Sequence, residues 1–185
     1  YTQSEGMGFI RKAVSRFIEK RDGIASDPSR IMLTDGASKG IQMVILMLIE
    51  NKKSGFMIPI PQYPLYSATI ALYGASQINY YLDEEKHWEL NEKELEKSIK
   101  EAKEKGIIPK AIIVINPGNP TGSVLSKENI KMIIRFAQKH RIAILADEVY
   151  QENIYTSHKF YSFASVMEEM KIKDVWLFSF HSTSK

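Results

Sequence analysis

Three apolar runs, each ending abruptly in polar residues, constrain this chain more than any other feature. Residues 111–115 run into Asn116-Pro-Gly-Asn-Pro-Thr-Gly122. Residues 142–146 run into Asp147-Glu-Val-Tyr150. Residues 175–178 run into a hydroxyl-rich turn, 179–184, that delivers Lys185. Apolar runs this short, bounded by turn residues, are consistent with buried strands. Segments of helical periodicity lie between such runs along the chain. Strands alternating with helices predict a mainly parallel sheet covered on both faces. In open α/β sheets ligands bind at the carboxyl ends of the strands, so the three polar endings point at one place.

The remaining segments fit the same α/β scheme. In residues 7–20, Phe9, Ile10, Ala13, Val14, Phe17 and Ile18 recur at helical spacing, and Arg21-Asp-Gly23 stops that helix. Residues 31–34 are expected as a short strand leading into Asp35-Gly-Ala-Ser38 and an apolar helix. Strands are expected at 56–60 and 77–82. Helices are expected up to Tyr73, over 92–105 and 126–139, and around 166–170. Nothing repeats at a period of 20–50 residues, and no low-complexity linker divides the chain. Residues 1–27 are expected as a helical segment near an inter-domain or dimer region, and residues 28–185 as one α/β unit.

Composition narrows the function classes. The 185 residues suffice for one domain with a sizeable core. The net charge of +3 is spread through mixed segments such as 92–105, so no nucleic-acid face is expected. The chain has no cysteine, which excludes disulfides and thiolate metal sites. His87, His140, His158 and His181 lack metal-ligand spacing, and no metal is expected. The longest apolar run, 43–49, is too short to span a bilayer. Absent cysteine fits a reducing compartment; a cytoplasmic protein is expected, with the mitochondrion as the alternative. The chain opens without Met and stops at Lys185, so a piece of a longer protein is expected.

Each polar residue at the proposed convergence admits a structural and a chemical reading. A lysine in a partly dry pocket loses proton affinity and can attack an aldehyde; otherwise Lys185 is a surface lysine. Asp147, at the end of the apolar run 142–146, needs a partner: an ion pair, a helix cap, or a cofactor ring nitrogen that it keeps protonated. Glu148 points the other way if the strand continues. Tyr150 either packs or donates to a ring hydroxyl. The turn 116–122 is either a tight connector or a rigid frame presenting an Asn amide. Tyr63 and Tyr66 flank Pro64; such a ring either fills the core or stacks on a heteroaromatic cofactor. The strand–turn–helix junction at 34–38 either carries a Ser38 cap or presents backbone N–H groups to a phosphate. It is not a Walker loop, since G-x-x-x-x-G-K-[ST] is absent.

As a set, four segments in this order resemble the fold-type I pyridoxal-phosphate-dependent aminotransferases, and among them the alanine aminotransferase branch. They are Ile60-Pro-Gln-Tyr-Pro-Leu-Tyr-Ser-Ala-Thr69, Val114-Ile-Asn-Pro-Gly-Asn-Pro-Thr-Gly122, Leu145-Ala-Asp-Glu-Val-Tyr-Gln151 and Ser179-Phe-His-Ser-Thr-Ser-Lys185. The resemblance covers essentially the whole chain. It implies an incomplete three-layer α/β/α large domain, pyridoxal 5'-phosphate as cofactor, amino-acid and 2-oxo-acid substrates, and a homodimer. It implies that Lys185 holds the cofactor aldehyde and shuttles a proton, and that Asp147 pairs with the pyridine nitrogen. Asn119 and Tyr150 are implied to bond the ring oxygen and Tyr63 to stack on the ring. Ala37, Ser38 and Ser182 are implied to hold the phosphate, with Tyr1 reaching a partner subunit's phosphate. The implied reaction passes an amino group from L-alanine to 2-oxoglutarate. Other aminotransferases of the class, an aminocyclopropane-carboxylate synthase-like lyase and a non-catalytic cofactor-binding regulatory domain are the alternatives. The arginines that complete the family's pattern, after its lysine and in its C-terminal domain, have no counterpart in these residues.

Overall fold

The computed structural model describes residues 3–155 and 157–185. Within them, β1 (Ser54–Ile60), β2 (Ser76–Tyr81), β3 (Ile108–Ile115), β4 (Ala143–Asp147) and β5 (Leu177–Phe180) form one sheet in the order β2-β1-β3-β4-β5. Every ladder is parallel. The inner strands are continuous apolar runs because both of their faces are covered: Phe56, Met57 and Ile58 of β1 and Ala111 to Val114 of β3 are buried. At the edge, β2 alternates instead. Ile78 and Tyr80 are buried, while Gln77, Asn79 and Tyr81 face out.

The described residues form six α-helices, α1 (Gly8–Asp22), α2 (Gly36–Leu48), α3 (Leu65–Leu72), α4 (Glu92–Glu104), α5 (Lys127–His140) and α6 (Phe163–Met170), of which α2 to α6 supply the two outer layers. Successive strand residues serve opposite faces. Met57, Ile112 and Val114 pack with Leu95, Ile99, Ile130, Ile133 and Phe163, from α4, α5 and α6. Phe56, Ile58 and Ile113 pack with Ile41, Ile45, Tyr66 and Ile70, from α2 and α3. The expected three-layer α/β/α architecture is therefore present. Side-chain caps fix several helix starts: Asn91 accepts from Lys93 N–H (2.9 Å), Ser126 from Asn129 N–H (3.1 Å) and Ser162 from Ser165 N–H (3.0 Å).

Two local expectations need correction, and one open alternative falls away. Residues 31–34 form no strand. A strand exists only where a ladder partner does, and here Leu33 N–H goes to the Glu5 carbonyl (3.0 Å) and the segment joins no ladder. Ser38 does not cap α2; the N-cap position is Asp35, whose side chain makes no capping bond. The last strand begins two residues later than expected, because Val175 is buried against the α4–α6 layer and pairing starts where Trp176 C=O accepts from Ile144 N–H (2.8 Å). Helix α1 forms as its periodicity predicts, but Phe9 on it is 67% exposed.

Candidate active site

β3, β4 and β5 run parallel, so their carboxyl ends lie side by side, and α2 begins at the same end. The cleft there has a volume of about 240 Å³, and its walls include Ala37, Ser38, Tyr63, Asn119, Asp147, Tyr150, Ser182 and Lys185. All the described residues to which the resemblance assigns a role thus meet in one place. Tyr1 lies outside the described residues. Gly36 and Ser184 also line the cleft and were not singled out. Adjacency to Ala37 and Ser182 was their available signal.

Asp147 closes β4 and is 7% exposed. Its two oxygens have different donors. Oδ2 accepts the hydroxyl of Tyr66, and Oδ1 accepts Val149 N–H at 3.3 Å. Burial raises the Asp147 pKa, and these two donors oppose that rise. Among the described residues it forms no ion pair and caps no helix, which disposes of both structural readings. Tyr66 is fully buried beside Ile41, Ile70 and Leu145. Burial, then the Asp147 charge, push its phenol pKa well above the ordinary value, so it stays a donor. Of the two readings open for Tyr66, core packing is the one realised; its contact with Asp147, across 81 residues, had no local signal.

The turn after β3 is a frame with little slack. Gly118 N–H donates to Ser123 C=O and Gly122 N–H to Gly118 C=O, each at 2.9 Å. A Cβ on Gly118 would meet Thr121 Oγ1 and, at 3.1 Å, Ser123 Oγ. The Asn116–Pro117 and Asn119–Pro120 bonds are both cis. Asn116 is fully buried and its Oδ1 accepts Leu125 N–H (2.9 Å), tying down the far end of the turn. The frame holds Asn119 so that its amide donates to the Tyr150 hydroxyl at 3.2 Å. Opposite, Tyr63 is 48% exposed and belongs to the cleft wall, not to the core.

At the α2 end, Gly36 turns the chain with φ +77°, and Thr34 accepts Gly36 N–H through its carbonyl (2.8 Å). With no side-chain cap, the first turn of α2 presents its backbone N–H groups at the positive end of the helix. The Ser182 and Ser184 hydroxyls lie 2.8 Å apart beside it. Lys185 is exposed, its ammonium 5.6 Å from the centre of the Tyr150 ring. The turn 181–185 that carries it lies largely at the surface among the described residues.

Behind the cleft, Glu148 is 1% exposed and accepts Phe163 N–H at 2.8 Å. It faces away from Asp147, as strand alternation predicts. Arg21 of α1 is held by Asp22 (2.6 Å) and donates to Gln151, whose amide meets His181 (2.9 Å); Phe17 stacks on that imidazole. The lysine-bearing turn is thereby tied to α1.

The model of the aminotransferase class I and II family matches residues 1–185. The chain belongs to this family. It is 50% identical over 189 residues to a probable mitochondrial alanine aminotransferase of Dictyostelium discoideum, covering all of this chain and 35% of that protein. It is 47% identical to glutamate–glyoxylate aminotransferase 2 of Arabidopsis thaliana, over 100% of the chain and 39% of the relative. The chain thus spans little more than a third of these family members. The solved alanine aminotransferase of Pyrococcus furiosus superposes with a TM-score of 0.86 at 27% identity, over 100% of this chain and 44% of that one. Fold-type I architecture is common to the family's structures matched here. Its members generally depend on pyridoxal phosphate and act on amino and oxo acids. Among the described residues no helix is long and apolar enough to cross a membrane.

Proposed function

We propose that the protein containing this chain is a pyridoxal-phosphate-dependent aminotransferase that passes an amino group from L-alanine to 2-oxoglutarate, giving pyruvate and L-glutamate. One observation carries the reading: a lysine, a buried carboxylate with no ion-pair partner among the described residues, an Asn–Tyr pair and an uncapped helix start share one cleft. These donors fit the cofactor's aldehyde, ring nitrogen, ring oxygen and phosphate in turn. When bound, the cofactor supplies a carbonyl that takes up and returns the amino group, and a protonated ring that accepts the electron pair released at the substrate Cα.

The chain's residues then divide the work. Lys185 Nζ holds the aldehyde and moves the proton to and from the substrate Cα. Asp147 keeps the proton on the ring nitrogen. Asn119 and Tyr150 hold the ring oxygen, and Tyr63 covers the ring face. Ala37 and Ser38, at the start of α2, and Ser182 hold the phosphate. Residues 28–185 are the cofactor-binding part of the large domain. Residues 1–27 are a helical segment near an inter-domain or dimer region of a homodimer, and the protein resides in the cytoplasm or the mitochondrion.

In the full-length protein, Lys185→Ala is expected to lower alanine turnover by roughly 100-fold or more, and Asp147→Ala to retain some cofactor while losing most turnover. Alanine turnover equal to the parent's in both variants rejects the reading. A second reading has its own support, the 47% identity to a glutamate–glyoxylate aminotransferase. Comparing kcat/KM for alanine with 2-oxoglutarate against glutamate with glyoxylate decides between them.

A further inference from the structure

We propose that Tyr66 is a positioning residue for this reaction, acting through Asp147: its hydroxyl fixes Oδ2 of the carboxylate and keeps Asp147 the weaker base when a ring nitrogen faces it. The proposal rests on the cofactor reading above and adds to it a residue remote from the ligand.

The geometry has three parts. First, the ring of Tyr66 has no freedom to leave. It is fully buried on α3, packed in the apolar layer with Ile41, Ile70 and Leu145, so its hydroxyl is delivered to one point. Second, that point is Oδ2 of Asp147, while Val149 N–H takes Oδ1 at 3.3 Å. An ionised carboxylate offers about four acceptor sites, so each oxygen retains room for a further donor on the cleft side, where Asp147 lines the wall. Third, the donor is dependable. A phenol buried beside a carboxylate does not ionise at working pH.

The chemical consequence concerns where one proton rests. Burial alone makes Asp147 a stronger base. A stronger base opposite a ring nitrogen draws the shared proton onto itself and leaves the ring neutral, a poorer acceptor of electrons. A hydrogen bond to the charged form has the opposite effect, and Tyr66 supplies it from the side away from the ligand. Tyr66 needs no contact with cofactor or substrate to do this.

The test uses the full-length protein loaded with pyridoxal phosphate labelled with nitrogen-15 in the ring. Tyr66→Phe keeps the ring that fills the core and removes only the hydroxyl. Expected is a fall in kcat for alanine of about 10- to 100-fold, the range for losing a hydrogen bond to a charged group, with KM changed less than about threefold. The ring-nitrogen resonance should move toward its unprotonated position. Adding Tyr66→Phe to Asp147→Ala should cost no further turnover, because the two act as one unit. An unmoved resonance, or losses that add in the double variant, overturns the proposal. Where Tyr66→Phe fails to give folded protein by circular dichroism, 3-fluorotyrosine at position 66 replaces it. As a stronger donor of nearly the same volume it should move the resonance the other way, and no movement overturns the proposal. The two readings fail separately: if Asp147→Ala retains full turnover the cofactor reading falls, whereas if Asp147→Ala is inactive and Tyr66→Phe is unaltered only the role of Tyr66 falls.

Discussion

Asp147 and Glu148 are chain neighbours with opposite surroundings. Asp147 faces the cleft with two neutral donors; Glu148 faces the interior, where burial pushes its pKa up to about 7 against the pull of Phe163 N–H and Arg21. A carboxyl whose proton is held more tightly folded than unfolded contributes stability that is complete below its unfolded pKa and is lost as pH rises through the folded value. Between about pH 4.5 and 7, the full-length protein is expected to lose stability from this group. Glu148→Gln, which still accepts from Phe163 N–H, should flatten that part of the profile of urea midpoint against pH. An unchanged slope excludes Glu148 as its source. A second expectation belongs to Asn119: because its amide donates to the Tyr150 hydroxyl, Asn119→Ala should shift the pH dependence of the bound cofactor's absorbance. Much at this scale was legible. The residue types at the strand ends and the alternation of Asp147 with Glu148 follow from sequence alone. The partners did not show, because Tyr66, Phe163 and Arg21 reach these carboxylates through contacts that no local spacing encodes.

Elements were legible where a periodic pattern and a stop signal agreed, as in α4 and α5. They failed where pairing depends on a distant backbone. Residues 31–34 have strand-like composition but no ladder partner, and β5 is displaced because Val175 serves the core instead of the ladder. The turn 116–122 was recognisable from its density of Asn, Pro and Gly. What it accomplishes depends on closeness: Gly118 approaches Thr121 and Ser123 with no room for a Cβ. Gly118→Ala is therefore expected to push the turn apart, destabilising the protein by about 1–3 kcal/mol and weakening cofactor binding, as read by thermal unfolding and cofactor titration. Ser126→Ala removes the cap of α5 at the far end of that connection. It should cost about 1 kcal/mol and leave cofactor affinity unchanged. Equal losses of affinity in the two variants would mean that the turn is not a separate frame.

The whole molecule is a sheet with two apolar layers, and the cleft draws on one of them. Ile112 packs toward α4, α5 and α6, and Ile113 toward α2 and α3, where Tyr66 and Ile41 also lie. Truncating either to Ala should cost about 2–5 kcal/mol, but only Ile113→Ala is expected to weaken cofactor binding. The layering and the parallel order were legible from alternation of strands and helices; which layer supports the cleft was not, since it depends on how α3 folds back over β1 and β2. The strand order has a mechanical consequence. Asp147 ends β4, which is buried throughout and paired on both sides, whereas Lys185 follows β5, which is half-buried and paired with β4 alone among the described strands. Local opening costs least where few bonds and little apolar contact oppose it, so amide hydrogens of β4, buried and paired on both sides, will be among the last to exchange with solvent. On the proposed reading, the carboxylate that must keep still beneath the ring is set in the stiffest strand of the sheet.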